Sequence, residues 1–161
     1  MTFDEFKKEW ESLATTEKGA IKMYLIAILE YLNENPDGGR MIGQCVPKGE
    51  FSPEGKPTPS HRFYLEQFGK VVKGTDFPGG IAASYLGGTP QNGYKYDYAN
   101  EIVVIESSSK FGSEESKVFV KSGGKDNPSP VTLKKNKDGF WKLFGVSSLC
   151  TGVRPIDNKD F

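Results

Sequence analysis

The sequence predicts an α+β fold in which N-terminal helices pack on one face of a C-terminal antiparallel sheet. Apolar residues recur at helical spacing in the first part of the chain, whereas β-branched and aromatic runs separated by turn residues fill the last part. Helices that precede strands in this way are typical of α+β proteins rather than of alternating βαβ units. A chain of 161 residues fits one domain. We expect a mainly helical part at residues 1–70, a glycine-rich irregular part at 71–100, antiparallel strands at 101–155 and a tail at 156–161.

The first two helices have recognisable N-terminal signals. Thr2 and Glu5 form a capping-box pattern, in which each side chain accepts a hydrogen bond from a backbone N–H of the first turn. Thr16 offers the N-cap of a second helix, which we expect to run to about Asn33. Apolar residues cover most of the circumference of this second helix, so we expect it to be buried on more than one side.

The middle of the chain has fewer regular signals. Residues 40–46 fit either a short helix or an extended segment, and residues 47–60 are loop-like. A third clear helix is predicted from about Pro59 to Gly69. Several glycines between residues 70 and 100 argue against long regular elements there, because glycine weakens the interiors of both helices and strands.

Four runs in the last part of the chain have the composition of β-strands. Asp138-Gly139 lies between the last two runs and predicts a tight antiparallel hairpin, whose two central residues would have positive φ angles. The final three strands are therefore expected to form a meander that the N-terminal helices cover. The runs are residues 102–105, 117–121, 131–134 and 140–144.

Charge and hydropathy argue against two classes of partner. Lys+Arg and Asp+Glu balance at 21 each, and the one cluster of lysines, at residues 134–137, flanks the predicted hairpin turn. Duplex nucleic acid requires several phosphate-facing cations on one surface, so we expect no nucleic-acid partner. Because no apolar segment has the length of a membrane span or of a signal peptide, we expect a cytoplasmic protein with no membrane partner.

Motifs for catalysis and metal binding are scarce. The chain has one histidine, His61, and two cysteines, Cys45 and Cys150, whose spacing matches no zinc site. We expect both thiols to be free and buried, and His61 to lie partly exposed at the start of a helix. Neither a P-loop pattern nor a dinucleotide-binding pattern is present. We therefore predict no catalytic residue, no metal and no cofactor.

Two stretches of the chain resemble a known family. Residues 84–94, Ser-Tyr-Leu-Gly-Gly-Thr-Pro-Gln-Asn-Gly-Tyr, are similar to the pattern Ser-Tyr-Phe-x-Gly-Ala-Thr-Pro-x-Asn-Asn-Tyr. Residues 118–154 are similar to a strand pair with Ser-Pro-x-Pro-Val-x-Leu and Trp-x-Leu motifs. Both patterns resemble a small bacterial domain family of unknown function, often met in anaerobic gut bacteria; Leu86, Gly88 and Gly93 depart from them. The resemblance implies a shared ancestry and brings no activity, substrate or catalytic residue.

The candidate binding residues concentrate around this first stretch. Three tyrosines at every second position, 94 to 98, would share one face of an extended chain, either as a stacking platform for a ligand or as a cover over the core. The polar loop at residues 87–93 could bring its backbone close to a ligand or serve only as a sharp turn. The candidate ligand-binding residues are Tyr85, Thr89, Asn92, Tyr94, Tyr96, Tyr98 and Arg154.

Taken together, these features predict a non-catalytic binding or interaction module whose partner is an unidentified small ligand or protein. Two alternatives stay open. One is a small hydrolase that uses His61 or Cys150, and the other is an oligomeric structural subunit. The sequence leaves the oligomeric state undetermined.

Overall fold

A group of helices followed by a five-stranded antiparallel sheet makes up the computed structural model, which describes residues 1–156. The predicted α+β class is therefore confirmed. Of the predicted tail, residues 157–161 lie outside the described residues. The helices are α1 (Phe3–Leu13), α2 (Glu17–Leu32), α3 (Gly38–Cys45), α4 (Pro59–Phe68) and the single turn α5 (Gly80–Ala83).

The predicted caps begin the first two helices. The Thr2 hydroxyl accepts the Glu5 N–H at 3.2 Å, and the Glu5 carboxylate accepts the Thr2 N–H at 3.1 Å, which completes the capping box. Thr16 caps α2 by accepting the Gly19 N–H. Ten consecutive residues of α2, from Ala20 to Leu29, are buried, so this helix is the centre of the core and packs against α1, α3, α5 and the sheet.

The sequence left open whether residues 40–46 form a short helix or an extended segment. In the structure, residues 40–45 belong to a helix, α3. Helix α4 matches its predicted range and has the Thr58 hydroxyl as its N-cap. From residue 69 to residue 102 the chain is irregular, apart from α5 and one 3₁₀ turn at Pro90–Asn92. These irregular residues still bury large side chains, among them Leu86 and Tyr94, against the helices and the sheet.

The sheet has the strand order β1-β3-β4-β5, with β2 paired to β3 and every pairing antiparallel. The predicted run at residues 102–105 forms only a two-residue strand, because the chain leaves β3 at Ile105 and enters a 3₁₀ turn. The strands are β1 (Val103–Val104), β2 (Lys110–Phe111), β3 (Glu115–Lys121), β4 (Ser129–Lys135) and β5 (Trp141–Gly145).

One face of the sheet meets the helices. Alternate residues of β3, β4 and β5 are buried, and the residues between them are exposed or half-buried, as the period of two requires. Trp141 is 3% exposed, and β5 contacts both α2 and α3. The predicted arrangement of helices over one face of the sheet is thus confirmed.

The hairpin between β4 and β5 forms where predicted, but its turn differs. Of the residues in this turn, only Gly139 has a positive φ, +86°; Asp138 does not. The Gly139 N–H bonds to the Asn136 carbonyl, and the Asn136 N–H bonds to the Phe140 carbonyl. The connection is therefore a three-residue loop, residues 137–139, rather than the two-residue turn expected from Asp-Gly, and the Asn136 side chain stabilises it by accepting two backbone N–H groups.

Candidate functional site

The three alternating tyrosines do not share one face. Tyr96 and Tyr98 stack with ring centroids 5.9 Å apart and lie against α2. The Tyr96 hydroxyl accepts the Asn33 side-chain N–H at 3.1 Å, and the Tyr98 hydroxyl donates to the Glu30 carboxylate at 2.7 Å. Both rings are half-buried and use their hydroxyls within the protein, as the core-cover alternative would require.

Thr89 and Asn92 organise their own loop. The Thr89 hydroxyl accepts the Asn92 N–H, and the side-chain Oδ1 of Asn92 accepts the Thr89 and Lys95 N–H groups. The Asn92 side-chain N–H donates to the Gly87 carbonyl. The polar atoms of these two side chains therefore stabilise the 3₁₀ turn at Pro90–Asn92.

Tyr85 and Tyr94 point instead toward the segments around residues 124 and 150. The buried Tyr85 hydroxyl donates to the Leu149 carbonyl at 2.9 Å and lies 2.9 Å from the Ser129 hydroxyl. Tyr94 is also buried, and its hydroxyl donates to the Arg154 carbonyl. Tyr94 has φ +58°, a left-handed conformation that is uncommon for a non-glycine residue, so its packing and its hydrogen bond maintain a strained backbone.

These contacts support a cleft of about 560 Å³. Residues 124–130, which join β3 to β4, form one wall, and residues 148 and 151–154 form the other. The Arg154 N–H donates to the Gly124 carbonyl at 2.9 Å and connects the two walls at one end. Of the seven predicted residues, Arg154 alone lines the cleft, whereas Tyr85 and Tyr94 lie behind its walls.

Lys125 is the residue at this site that the sequence analysis missed. Its amine sits in the cleft wall, and its hydrogen bonds join three separate parts of the chain. No acceptor in this set is a carboxylate, and none of the ion pairs formed within residues 1–156 includes Lys125. The acceptors are Thr151 Oγ1 at 2.6 Å, the Tyr85 hydroxyl at 2.7 Å, the Ser148 carbonyl at 2.9 Å and Ser129 Oγ at 3.1 Å.

The electrostatics of the cleft are cationic. Burial lowers the pKa of Lys125 to about 8, because the surrounding protein replaces water that would stabilise the ammonium. At neutral pH the group is still mostly protonated. Arg154 adds a second positive charge, and its guanidinium pairs at 2.7 Å with Asp126, the one acidic residue among the lining residues that the structure describes. Within residues 1–156, two cations and one anion therefore line the cleft.

His61 is buried rather than partly exposed, which corrects the sequence interpretation. It is at the start of α4, as predicted, but it is 2% exposed, because the loop at residues 50–58 folds over it. Its Nε2 lies 2.9 Å from the Tyr24 hydroxyl, and its Nδ1 lies 3.5 Å from the Glu50 carboxylate. Burial lowers the pKa of His61, while the hydrogen bond and the charge of Glu50 act in the opposite direction.

Both cysteines are free and buried, as predicted. Burial raises the pKa of the Cys45 thiol and of the Cys150 thiol. Cys150 donates to the Ser147 carbonyl, and none of the hydrogen bonds described for residues 1–156 joins it to His61. A thiol with a raised pKa is a poor nucleophile at neutral pH, because the thiolate is the reactive form.

Within residues 1–156 there is no helix with the length and apolar character of a membrane span. The same residues contain no group of three histidine, cysteine or acidic side chains placed to hold a metal ion.

The fold and the cleft define a small α+β protein with a polar, positively charged cleft between two loops of its sheet. Residues 1–157 match the model of DUF6935, described as a domain of unknown function, and the chain belongs to this family. Neither a curated protein nor a solved structure matches the chain. This match agrees with the predicted resemblance to a domain family of unknown function.

Proposed function

We propose that this protein is a non-catalytic binding module and that the cleft beside Lys125 holds a small anionic ligand. The observation that carries the proposal is the Lys125 amine, which lies in the wall of a polar cleft among neutral acceptors. A charge in a partly desolvated site interacts more strongly with a ligand than the same charge in bulk water. An anion in the cleft would supply a counter-charge to this amine, which none of the ion pairs within residues 1–156 includes.

Arg154 supplies the hydrogen bonds to such a ligand. Its guanidinium has five N–H donors, is about half exposed and uses one donor in its bond to Asp126. Guanidinium groups bind carboxylates and phosphates through two parallel hydrogen bonds. Lys125, whose N–H groups are already shared among four acceptors, contributes mainly its charge. The ligand class is therefore a small molecule with a carboxylate or phosphate group.

The predicted binding loop has a supporting role in this proposal. Tyr85 holds the amine of Lys125, and Tyr94 holds the backbone of Arg154. Thr89 and Asn92 fix the loop from which Tyr94 extends. The tyrosines thus position the two cations and do not themselves contact the ligand.

The hydrolase alternative has weaker support. Both nitrogens of His61 face partners inside the core, and burial raises the pKa of the Cys150 thiol, so neither group is prepared as a base or nucleophile at neutral pH. The oligomeric alternative stays a prediction from the sequence. The same holds for the cytoplasmic location, for the absence of nucleic-acid and membrane partners, and for the origin of the family in gut anaerobes.

Thermal unfolding in the presence of small anions tests the proposal. The compounds are citrate, succinate, inorganic phosphate and a nucleoside monophosphate, each compared with an uncharged analogue. A ligand that binds only the folded state raises the melting temperature by mass action. We expect at least one anion to raise it and the uncharged analogue to have no effect.

Two variants locate the binding. Arg154→Gln removes an exposed cation from the cleft, and Lys137→Gln removes an exposed cation from the hairpin turn, so both change the net charge equally. The anion-induced shift should fall in Arg154→Gln and stay unchanged in Lys137→Gln. If no anion shifts the wild-type melting temperature, or if Arg154→Gln keeps the full shift, the proposal is wrong.

A further inference from the structure

A second concave surface is lined by a different set of residues from those of the Lys125 cleft. It is a groove of about 900 Å³ between α3 and the loop at residues 47–58, and we call it the α3 groove. The loop is held in place by an antiparallel bridge between Phe51 and Pro57 and by the bond from the Thr58 N–H to the Glu50 carbonyl. The groove is therefore built on a fixed loop and a helix.

The charged residues that line the α3 groove all have the same sign. Four cations and no acidic residue are among its lining residues in the described part of the chain. The protein as a whole has equal numbers of acidic and basic residues, so this separation of charge is local. The four cations are Arg40, Lys48, Lys56 and Lys142.

Three acidic residues lie close to the groove without lining it. One of them, Glu54, is exposed in the same loop and interacts with the charge of Lys56, although the two form no direct ion pair. Asp37 pairs with Arg40 at 3.5 Å from outside the groove, and Glu50 faces His61 at 3.5 Å. Lys48 and Lys56 are exposed, and none of the ion pairs within residues 1–156 includes either of them. Two of the four cations therefore have their charge available to a partner.

Lys142 is half-buried, whereas the other three cations are exposed. Its amine donates to the Gln44 carbonyl and lies 4.7 Å from the centre of the Trp10 ring. Burial lowers the pKa of Lys142, and nearby charges act in both directions, that of Lys48 lowering it. An anionic partner in the groove would stabilise the charged form of this amine.

The walls between the cations are apolar. Phe3 and Phe51 are half-buried, and Arg40 lies over the Phe3 ring at 4.1 Å. Three prolines, Pro47, Pro53 and Pro57, line the same groove. Aromatic and proline surfaces accept apolar side chains and extended peptide backbone, as they do in grooves that bind proline-rich segments.

We propose that the α3 groove binds an acidic peptide segment of a partner protein, with carboxylates of the segment facing Lys48 and Lys56 and its apolar side chains on the Phe51 and proline walls. A nucleic acid fits less well, because its bases would need open aromatic faces on which to stack, and Arg40 already covers the Phe3 ring. The proposal does not depend on the ligand of the Lys125 cleft, since the two sites share no residue.

Fluorescence anisotropy with a labelled peptide tests this proposal. The probe alternates Glu with Phe and Pro, and the control peptide has Gln in place of every Glu. We expect saturable binding of the acidic probe that weakens as salt is added, because exposed charges are screened. The Gln peptide should bind at least about tenfold more weakly.

A matched pair of double variants locates the site. Lys48→Gln/Lys56→Gln removes two exposed cations from the groove, and Lys121→Gln/Lys137→Gln removes two exposed cations outside it. All four positions are exposed, so both proteins should fold. We expect the first variant to bind the probe about tenfold more weakly, mainly through slower association, and the second to bind it as the wild type does.

Three results would overturn the proposal. The first is the absence of saturable probe binding to the wild type. The second is an equal loss of affinity in the two double variants, which would mean a general charge effect. The third is tighter binding of oligothymidylate or of vesicles that contain anionic lipid, measured in the same assay, which would assign the groove to another class of partner.

Discussion

The Tyr85 hydroxyl lies 2.7 Å from the Lys125 amine, although the two residues are 40 positions apart in the chain. The same hydroxyl bonds to the Leu149 carbonyl and lies beside Ser129, so one tyrosine connects the two segments that form the walls of the cleft. The amine also lies 5.3 Å from the centre of the Tyr85 ring. Lys125 therefore has a structural role as well as a proposed binding role.

Lys125→Met should change how stability depends on pH. The pKa of Lys125 is about 8 in the folded protein, below the ordinary value of 10.5. Between these values the unfolded chain binds more protons than the folded protein, so raising the pH stabilises the wild type at this residue. Urea unfolding at about pH 7.5 and about pH 9.5 should show the wild type gaining stability relative to Lys125→Met.

The comparison between the two proteins removes the effects of other titrating groups, because both proteins share them. At about pH 7.5, loss of the amine's hydrogen bonds should destabilise Lys125→Met by about 1–3 kcal/mol. Methionine also avoids the cost of burying a charged amine, which offsets part of this loss. A stability difference that stays constant or shrinks as the pH rises would contradict the depressed pKa.

His61 should titrate below its ordinary pKa of 6.5, because burial disfavours the imidazolium. His61 is the one histidine in the sequence, so its imidazole carbon signal in an NMR pH titration needs no assignment. The folded protein should lose stability as the pH falls below about 6.5, since the unfolded chain then takes up a proton that the folded protein resists.

The variant His61→Gln serves as the control for this titration. It removes the ionisable group while it keeps a side chain that can bond to Tyr24 or Glu50, the two groups that face the imidazole. The fall in stability between about pH 7 and pH 5.5 should be smaller in His61→Gln than in the wild type. A measured pKa at or above 6.5 would mean that Glu50 outweighs burial.

Both thiols should be unreactive in the native protein. Cys45 and Cys150 are buried and burial raises the pKa of each, so little thiolate is present at neutral pH. A chromogenic disulfide reagent should react slowly with the folded protein and should titrate two thiols in denaturant. Rapid reaction of Cys150 in native buffer would instead revive the hydrolase alternative.

Two glycines near the cleft should respond differently to alanine. Gly93 has φ +72° and open space where a Cβ would lie, so Gly93→Ala should destabilise by about 1 kcal/mol through backbone strain alone. Asn tolerates this conformation, so Gly93→Asn should be closer to neutral. At Gly123, a Cβ would lie 2.1 Å from the Gly88 carbonyl oxygen.

Gly123→Ala must therefore move backbone and should destabilise by at least about 2 kcal/mol. Urea unfolding of the three variants measures the order of these effects. If Gly123→Ala is as stable as Gly93→Ala, the loop at residues 87–93 does not pack against residues 122–124 as tightly as the structure has it.

Much of the fold could be predicted from the sequence because its signals are local. The Thr2 and Glu5 capping box spans four residues, and the alternation that buries Val118 and Val120 has a period of two. The strand at residues 102–105 was predicted too long, because its pairing partner ends at Lys121 and the chain turns away. The composition of residues 102–105 does not indicate where their pairing with β3 ends.

The candidate site was predicted only in part. Tyr85, Tyr94 and Arg154 are close to the cleft, but Lys125 was not among the predicted residues, since Gly123-Gly124-Lys125-Asp126 carries turn signals and nothing else. The feature that distinguishes Lys125 is its set of acceptors, and Tyr85 and Ser148 lie 40 and 23 residues away. His61 was misjudged for the same reason, because Tyr24 lies 37 residues before it.

The sequence by itself determined where α1, α2 and α4 begin, where the longer strands lie and which motifs of catalysis are missing. Each of these depends on hydrogen bonds or periodicity within a few neighbouring residues. The tertiary structure decided that Lys125 lies among neutral acceptors, that His61 is buried and that four cations line the α3 groove. These properties arise from segments that only the packing of the core brings together, and the electrostatic environment of a side chain depends on all of its neighbours in space.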